Sequence, residues 1–200
     1  MSCIIHNIEQ GTNEWHALRC GKFTATKIAK LFMGKSTKGY SDIISRVAYE
    51  RLTGKTPESY SNSSMERGIE LEPEAIRAYE LETFNRVKRV GFIELSRDVG
   101  CSPDGLINDH GMIQVKCPLY NTLINYHVSG VIDKDYIIQM QAEMYVTGRQ
   151  WNIFYAWHPD LKPFQKKILR DPDMIKQIKA EIDLALVAVN ERLELLGSTP

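Results

Sequence analysis

The sequence has no excess charge of either sign, with 25 lysines and arginines against 25 aspartates and glutamates in 200 residues. Nothing global therefore announces a nucleic-acid partner, although a balanced chain can still gather its cations along one groove. Cysteine is scarce and scattered. Cys3, Cys20, Cys101 and Cys117 include no C-x-x-C pair, and His6, His16, His110, His127 and His158 form no ligand spacing with them. A zinc site is not expected, and free thiols in a reducing cytosol are. No apolar run approaches a membrane span, and the opening MSCIIHNIEQ lacks the basic and apolar regions of a signal peptide. The expectation is a soluble intracellular protein. Repeats and low-complexity stretches are also missing. What is present, at 43% hydrophobic, suits a single globular domain over residues 1–200.

Helical signals come first. Gly11-Thr12-Asn13 caps a short helix carrying Trp15 and Leu18, and Thr24-Ala25-Thr26 caps a second that runs through Leu31-Phe32 to Gly34. A polar loop is expected over Lys35 to Tyr40, then a helix with Ile43, Ile44, Val47, Ala48 and Leu52, closed by Gly54. Ser61 to Ser64 open another helical segment containing Glu72 and Pro73. Proline cannot donate to the Ile69 carbonyl, so this helix should kink or restart and aim Glu72. Residues 86–95 and 98–107 read as strands with Arg97-Asp98 as their turn, followed by a strand over 112–117. A helix over Asp135 to Thr147, a β-prone run from Trp151 to Trp157 and a long helix from Asp171-Pro172 complete the order. The spacing thus predicts an α/β layered domain.

The chemistry gathers around Ser102-Pro103-Asp104-Gly105-Leu106 and Gln114-Val115-Lys116-Cys117-Pro118. Asp104 falls where a strand bends, and Gln114 and Lys116, two apart on the next strand, project from one face while Ile113, Val115 and Cys117 take the other. Glu72 adds a carboxylate from a distant part of the chain. Phosphodiester hydrolysis needs an acidified water and a clamp for charge on the phosphate, and carboxylate-held metal ions supply both. Each residue has a plainer reading: Asp104 as a turn, Lys116 as a solvated strand lysine, Glu72 as part of a wet helix face. Only their combination points to a metal-dependent nuclease centre.

That combination resembles the PD-(D/E)xK nuclease superfamily and, within it, the lambda-type phage recombination exonucleases. The resemblance extends through Trp15-His16-x-Leu18-Arg19-x-Gly21-x-x-Thr24-Ala25-Thr26, Gly68-x-x-x-Glu72-x-x-Ala75 and Gln139-x-Gln141-x-x-Met144-Tyr145-Val146, covering nearly the whole chain from about residue 10. It implies a mixed central sheet flanked by helices and a processive 5′-to-3′ exonuclease on double-stranded DNA ends. It further implies a homotrimeric ring, a single-strand annealing protein as partner, and magnesium in a two-metal site, with manganese able to substitute. A phage or prophage origin would put the protein in a bacterial cytoplasm. Carried over, Asp104, position 114 and the Val115 carbonyl are metal ligands, Glu72 acts directly or through a bound water, and Lys116 orients and helps deprotonate the attacking water. Gln141 stands near the centre as a polar support. Arg19, Thr26 and Ser102 match the pocket for a 5′-terminal phosphate, a task suited to a guanidinium fork and small hydroxyls.

Gln114 departs from the pattern, which calls for glutamate. Magnesium prefers carboxylates, so a neutral amide should weaken at least one metal site while leaving the fold intact. Hydrolysis by this chain is therefore expected to be lost or impaired, unless a nearby carboxylate such as Glu143 compensates. The alternatives left open are a catalytically silent DNA-end-binding protein on a nuclease fold and a sequence-specific endonuclease on the same core. Arg19 argues against the endonuclease, because a 5′-phosphate pocket is of little use to internal cutting.

Overall fold

The computed structural model describes residues 3–57 and 63–197. In chain order it runs β1 (Ile4–His6), α1 (Asn13–Arg19), β2 (Phe23–Thr24), α2 (Ala25–Leu31), α3 (Lys38–Thr53), α4 (Ser63–Thr83), β3 (Val87–Lys88) and β4 (Phe92–Glu94). It continues through β5 (Val99–Cys101), β6 (Gly105–Ile107), β7 (Gly111–Lys116), α5 (Tyr120–Ser129), α6 (Lys134–Thr147), β8 (Trp151–His158), β9 (Leu161–Leu169) and α7 (Pro172–Leu195). The strands form two sheets, ordered β1-β4-β5-β2 and β3-β6-β7-β8-β9. Both mix parallel and antiparallel pairing: β7 runs parallel to β8 and antiparallel to β6.

Side-chain alternation on β7 divides the core. Ile113 and Val115 pack with Ala75, Ile76 and Tyr79 of α4, whereas Met112 joins Ala142 and Met144 of α6 in the larger cluster with α2, α3 and α7. A helix layer thus covers each face of the five-stranded sheet, and Gln114 and Lys116 fall on the α6 side, as the period of two predicts. Local signals set the helix ends. Thr12 accepts the Trp15 amide at 3.3 Å, Asp171 accepts those of Asp173 and Met174 at 2.9 and 3.2 Å, and Gly148 closes α6 in the left-handed conformation.

Several elements differ from the sequence expectation. The strands expected over 86–95 and 98–107 are each broken in two, because each serves both sheets: β3 and β6 belong to one, β4 and β5 to the other. The second break is Ser102-Pro103-Asp104, where Pro103 has no N–H to give a ladder. Helix α3 starts at Lys38, inside the expected loop, because Thr37 caps it. Helix α4 passes through Pro73 without restarting. Its opening at Ser61-Asn62 lies outside the described residues. Unforeseen are β1, β2, α5 and β9. Strand β9 is an edge with Lys162, Pro163, Lys166 and Lys167, a composition that masks strand periodicity and discourages further pairing. Helix α5 buries only Leu123 and Tyr126, too sparse a stripe to announce itself.

Gly91 joins the N-terminal segment to β4, with its amide donating to the His6 carbonyl at 3.2 Å. A Cβ there would stand 2.2 Å from the Ile8 carbonyl oxygen, a backbone atom that cannot turn aside. Gly91→Ala should therefore cost about 1–3 kcal/mol of stability, the range for overpacking, read as a lowered denaturant midpoint with an unchanged m-value.

Candidate active site

Asp104 leaves the break between β5 and β6 and turns back over the end of β7. Its Oδ2 accepts the Val115 amide at 2.7 Å and also the side-chain amide Nε2 of Gln114. Glu72 approaches from α4, where its Oε1 accepts Arg89 Nη2 at 2.7 Å. Lys116 carries its ammonium 4.9 Å from the centre of the Tyr136 ring. Glu72, Asp104, Val115, Lys116 and Tyr136 share one cleft of about 520 Å³. Burial raises the Glu72 carboxyl to about 7, with the Asp104 charge as second cause, while Arg89 and Lys116 pull it back. Burial also raises Asp104, against the pull of Lys116 and the Val115 amide. Two carboxylates raised together in a cleft with a lysine mark a candidate catalytic site.

Behind Asp104 runs a buried amide chain. Gln139 Nε2 donates to Gln114 Oε1 at 2.7 Å and to Glu143 Oε1 at 3.1 Å, and Asn152 Nδ2 donates to Glu143 Oε2 at 2.9 Å. Gln114, Glu143 and Asn152 are all buried. The Gln114 amide is fixed at both ends: its oxygen meets a donor on Gln139, so its N–H₂ faces Asp104. A metal arriving at Asp104 therefore meets a hydrogen-bond donor at position 114. Asp104, Glu72 and the Val115 carbonyl fit a hard cation, whereas Gln114 as oriented does not. Among the described residues no three His, Cys, Asp or Glu side chains come together closely enough to hold an ion.

A second feature lies on α1. The Arg19 guanidinium sits 3.9 Å from the centre of the Trp15 ring and donates to Ser102 Oγ at 2.8 Å. Trp15 Nε1 donates to the same hydroxyl and to the Gly91 carbonyl, both at 3.0 Å. The indole is thus a fixed shelf for the arginine, and Ser102, two residues before Asp104, ties both to the loop that carries it. Burial lowers Arg19 to about 10, still cationic at neutral pH. Thr24, Lys27, Arg46 and Glu50 line a small cleft with it, about 240 Å³. A larger cleft of about 630 Å³ elsewhere is closed around the Arg51–Asp98 ion pair and gathers no comparable chemistry.

Residues 14–150 match the YqaJ-like viral recombinase domain. The chain belongs to this family. It is 35% identical to an alkaline exonuclease, LHK-Exo, from Laribacter hongkongensis, over 93% of this chain and 96% of that one, with a TM-score of 0.85. LHK-Exo in complex with dAMP matches at 36% identity, over 92% and 96%, with a TM-score of 0.86. A phage-related exonuclease from Haemophilus somnus 129PT shares the fold at 16% identity, over 88% and 96%, with a TM-score of 0.70. No curated protein sequence matches the chain. The fold is that of the alkaline, lambda-exonuclease-like branch of the PD-(D/E)xK nucleases.

Within this recombinase-family domain, Asp104, Gln114, Val115, Lys116 and Glu72 converge, and Arg19 and Ser102 touch. Gln141 does not join them. Its Nε2 donates to the Leu169 carbonyl at 2.8 Å and its Oε1 accepts the Asp171 amide at 3.0 Å, so it fastens β9 to α7. Two residues apart on a helix point to opposite sides, and it is Gln139 that reaches the centre. Thr26 is exposed on the first turn of α2 and makes no side-chain hydrogen bond to Arg19 or Ser102; Thr24 and Thr56 are the threonines lining the Arg19 cleft. Sequence reasoning missed Gln139, Arg89, Tyr136 and the Trp15 shelf. Of these, Gln139 and Trp15 stood inside the quoted motifs.

Burial, and then the Asp104 charge, raise Glu143 from 4.5 to about 8. The folded protein therefore holds this proton where the unfolded chain has released it. The associated stability is fully present below about pH 4.5 and is lost as pH rises towards 8. Stability should fall across that window, and Glu143→Gln should flatten the fall, leaving the same-signed slopes from Glu72 and Asp104. Denaturant midpoints measured across that range of pH check this.

Proposed function

We propose that this chain is the exonuclease of a phage-type recombination system, built to hydrolyse one strand 5′ to 3′ from a double-stranded DNA end, with hydrolysis impaired by Gln114. The observation that carries the reading is the convergence of Asp104, Glu72 and Lys116 on one cleft, tied through Ser102 to the Arg19 guanidinium. Asp104, Glu72 and the Val115 carbonyl would hold magnesium, or manganese in its place, and a glutamate at 114 would add the third carboxylate that a two-metal site needs. The bound ion would supply a more acidic water and charge neutralisation at the phosphate. Lys116 would orient the attacking water, favour its deprotonation through its positive charge and offset phosphate charge. Arg19 and Ser102 hold the 5′-terminal phosphate, which sets the end from which cleavage counts. The family resemblance further supports a homotrimeric ring around the duplex and a single-strand annealing protein that receives the exposed 3′ strand.

Gln114 supports a second reading, an end-binding protein that does not cut, since its amide is satisfied on both sides without a metal. Restoring the carboxylate separates the two. With magnesium and linear duplex carrying one 5′-phosphate, Gln114→Glu should degrade the DNA from the phosphorylated end while the parent chain leaves it intact. Inertness of both forms while duplex is still bound selects the end-binding protein, and digestion of closed circular DNA would indicate an endonuclease.

The phosphate pocket has its own test. Arg19→Leu should reduce the preference for a 5′-phosphate over a 5′-hydroxyl end by about ten- to a hundred-fold, the worth of a hydrogen bond to a charged group. Competition binding with the two duplexes reads it directly, and an unchanged preference rejects Arg19 as the phosphate ligand.

A further inference from the structure

Arg89 stands in the connection between β3 and β4, beside the cleft that its partner Glu72 lines. Its Nη2 lies 2.7 Å from Glu72 Oε1, and 54% of its side chain remains open to solvent while Glu72 is 24% exposed. It makes no other ion pair among the described residues. Arg89 and Lys116 are the cations that act on both Glu72 and Asp104, and only Arg89 occupies a carboxylate oxygen that a metal would need. A guanidinium and a divalent cation on one carboxylate repel each other, so entry of the ion weakens the hold of Glu72 on Arg89. The loosened group is a planar fork on a long flexible stem, already beside the cleft. A phosphate, which it can grip through two parallel hydrogen bonds, enters the same cleft with the ion.

We propose that Arg89 is an exchange cation, which neutralises Glu72 in the metal-free protein and transfers to a phosphate of the DNA strand when metal and substrate enter together. This rests on the exonuclease reading above and adds a substrate-binding residue to it. The device guards the cleft against metal without DNA and releases a phosphate ligand once both are present.

The two roles have opposite signs, which a structural role cannot imitate. In the full-length protein, Arg89→Gln should strengthen Mn²⁺ binding in the absence of DNA, followed by electron paramagnetic resonance, by about two- to five-fold, the worth of a half-exposed ion pair. The same substitution should weaken binding of 5′-phosphorylated duplex in Ca²⁺ by a similar factor and make its salt dependence shallower by about one phosphate contact. Arg89→Lys, keeping the charge without the fork, should bind Mn²⁺ as the parent does and recover part of the DNA affinity. Both measurements are run in this chain and in its Gln114→Glu form, so that weak metal binding by the amide does not hide the effect. Losses in both affinities would show a merely structural arginine and overturn the proposal, as would an unchanged DNA affinity or unchanged Mn²⁺ binding. If the parent chain binds no duplex at all, the exonuclease reading itself falls and the phosphate role of Arg89 with it. That outcome is distinct, because in every other the parent still binds.

Discussion

The Asp104 carboxylate is half-buried in a place where the sheet has run out, and this constraint organises the rest of the site. Strand β6 pairs with β7 only as far as Ile113, while β7 continues to Lys116. Beyond that point the Val115 amide has lost its strand partner on the β6 side, and Asp104 accepts it instead. The loop that delivers Asp104 is the crossing between the two sheets, and Pro103 guarantees that its backbone joins neither ladder. A carboxylate held this way needs further donors or a cation, because a buried charge left unpaired is too costly to survive. Gln114, Lys116 and Arg89, acting through Glu72, are three different answers to that one demand.

Those answers were unequally legible in the sequence. Spacing alone put Asp104 at a bend and Gln114 and Lys116 on one strand face, because a period of two leaves no other choice on a strand of that length. The Arg19–Ser102 contact spans 83 residues, and only motif resemblance joined its ends. Arg89 carried no signal at all: its partner is fixed by how α4 lies against the β3–β4 connection, a tertiary fact. The choice between Gln139 and Gln141 failed for a simpler reason. Both stand in the same motif, and only the rotation of α6 about its axis decides which one faces β7. Helical periodicity alone could not decide it, since Gln141 stands three residues after buried Ile138 and four before half-buried Tyr145, on the apolar stripe itself.

The fold shows the same division. Elements with their own caps and stripes, such as α1, α6 and α7, were readable because local chemistry ends them where the structure does. Strands β1 and β2 were not, for they are two or three residues long and exist through pairing with remote partners. A run such as 98–107 satisfies strand propensity throughout, and what cuts it is the demand of two sheets at once. Strand β9 escaped because an edge must look unlike a strand to remain safe from further pairing.

On the exonuclease reading, Gln114 has a physical meaning beyond the loss of a ligand. With glutamate at 114, the metal-free protein would set a third carboxylate against Asp104, beside Glu72, with half-exposed Arg89 and Lys116 as the near cations. Each added buried negative charge raises its neighbours and weakens the fold until an ion arrives. The amide removes that repulsion and turns it into a hydrogen bond on each side, one from its own N–H₂ to Asp104 and one from Gln139 to its oxygen. Stability gained in this way comes directly from the electrostatic tension that a metal-dependent centre uses to draw its ion, so the better satisfied this network is without metal, the less it gains from binding one.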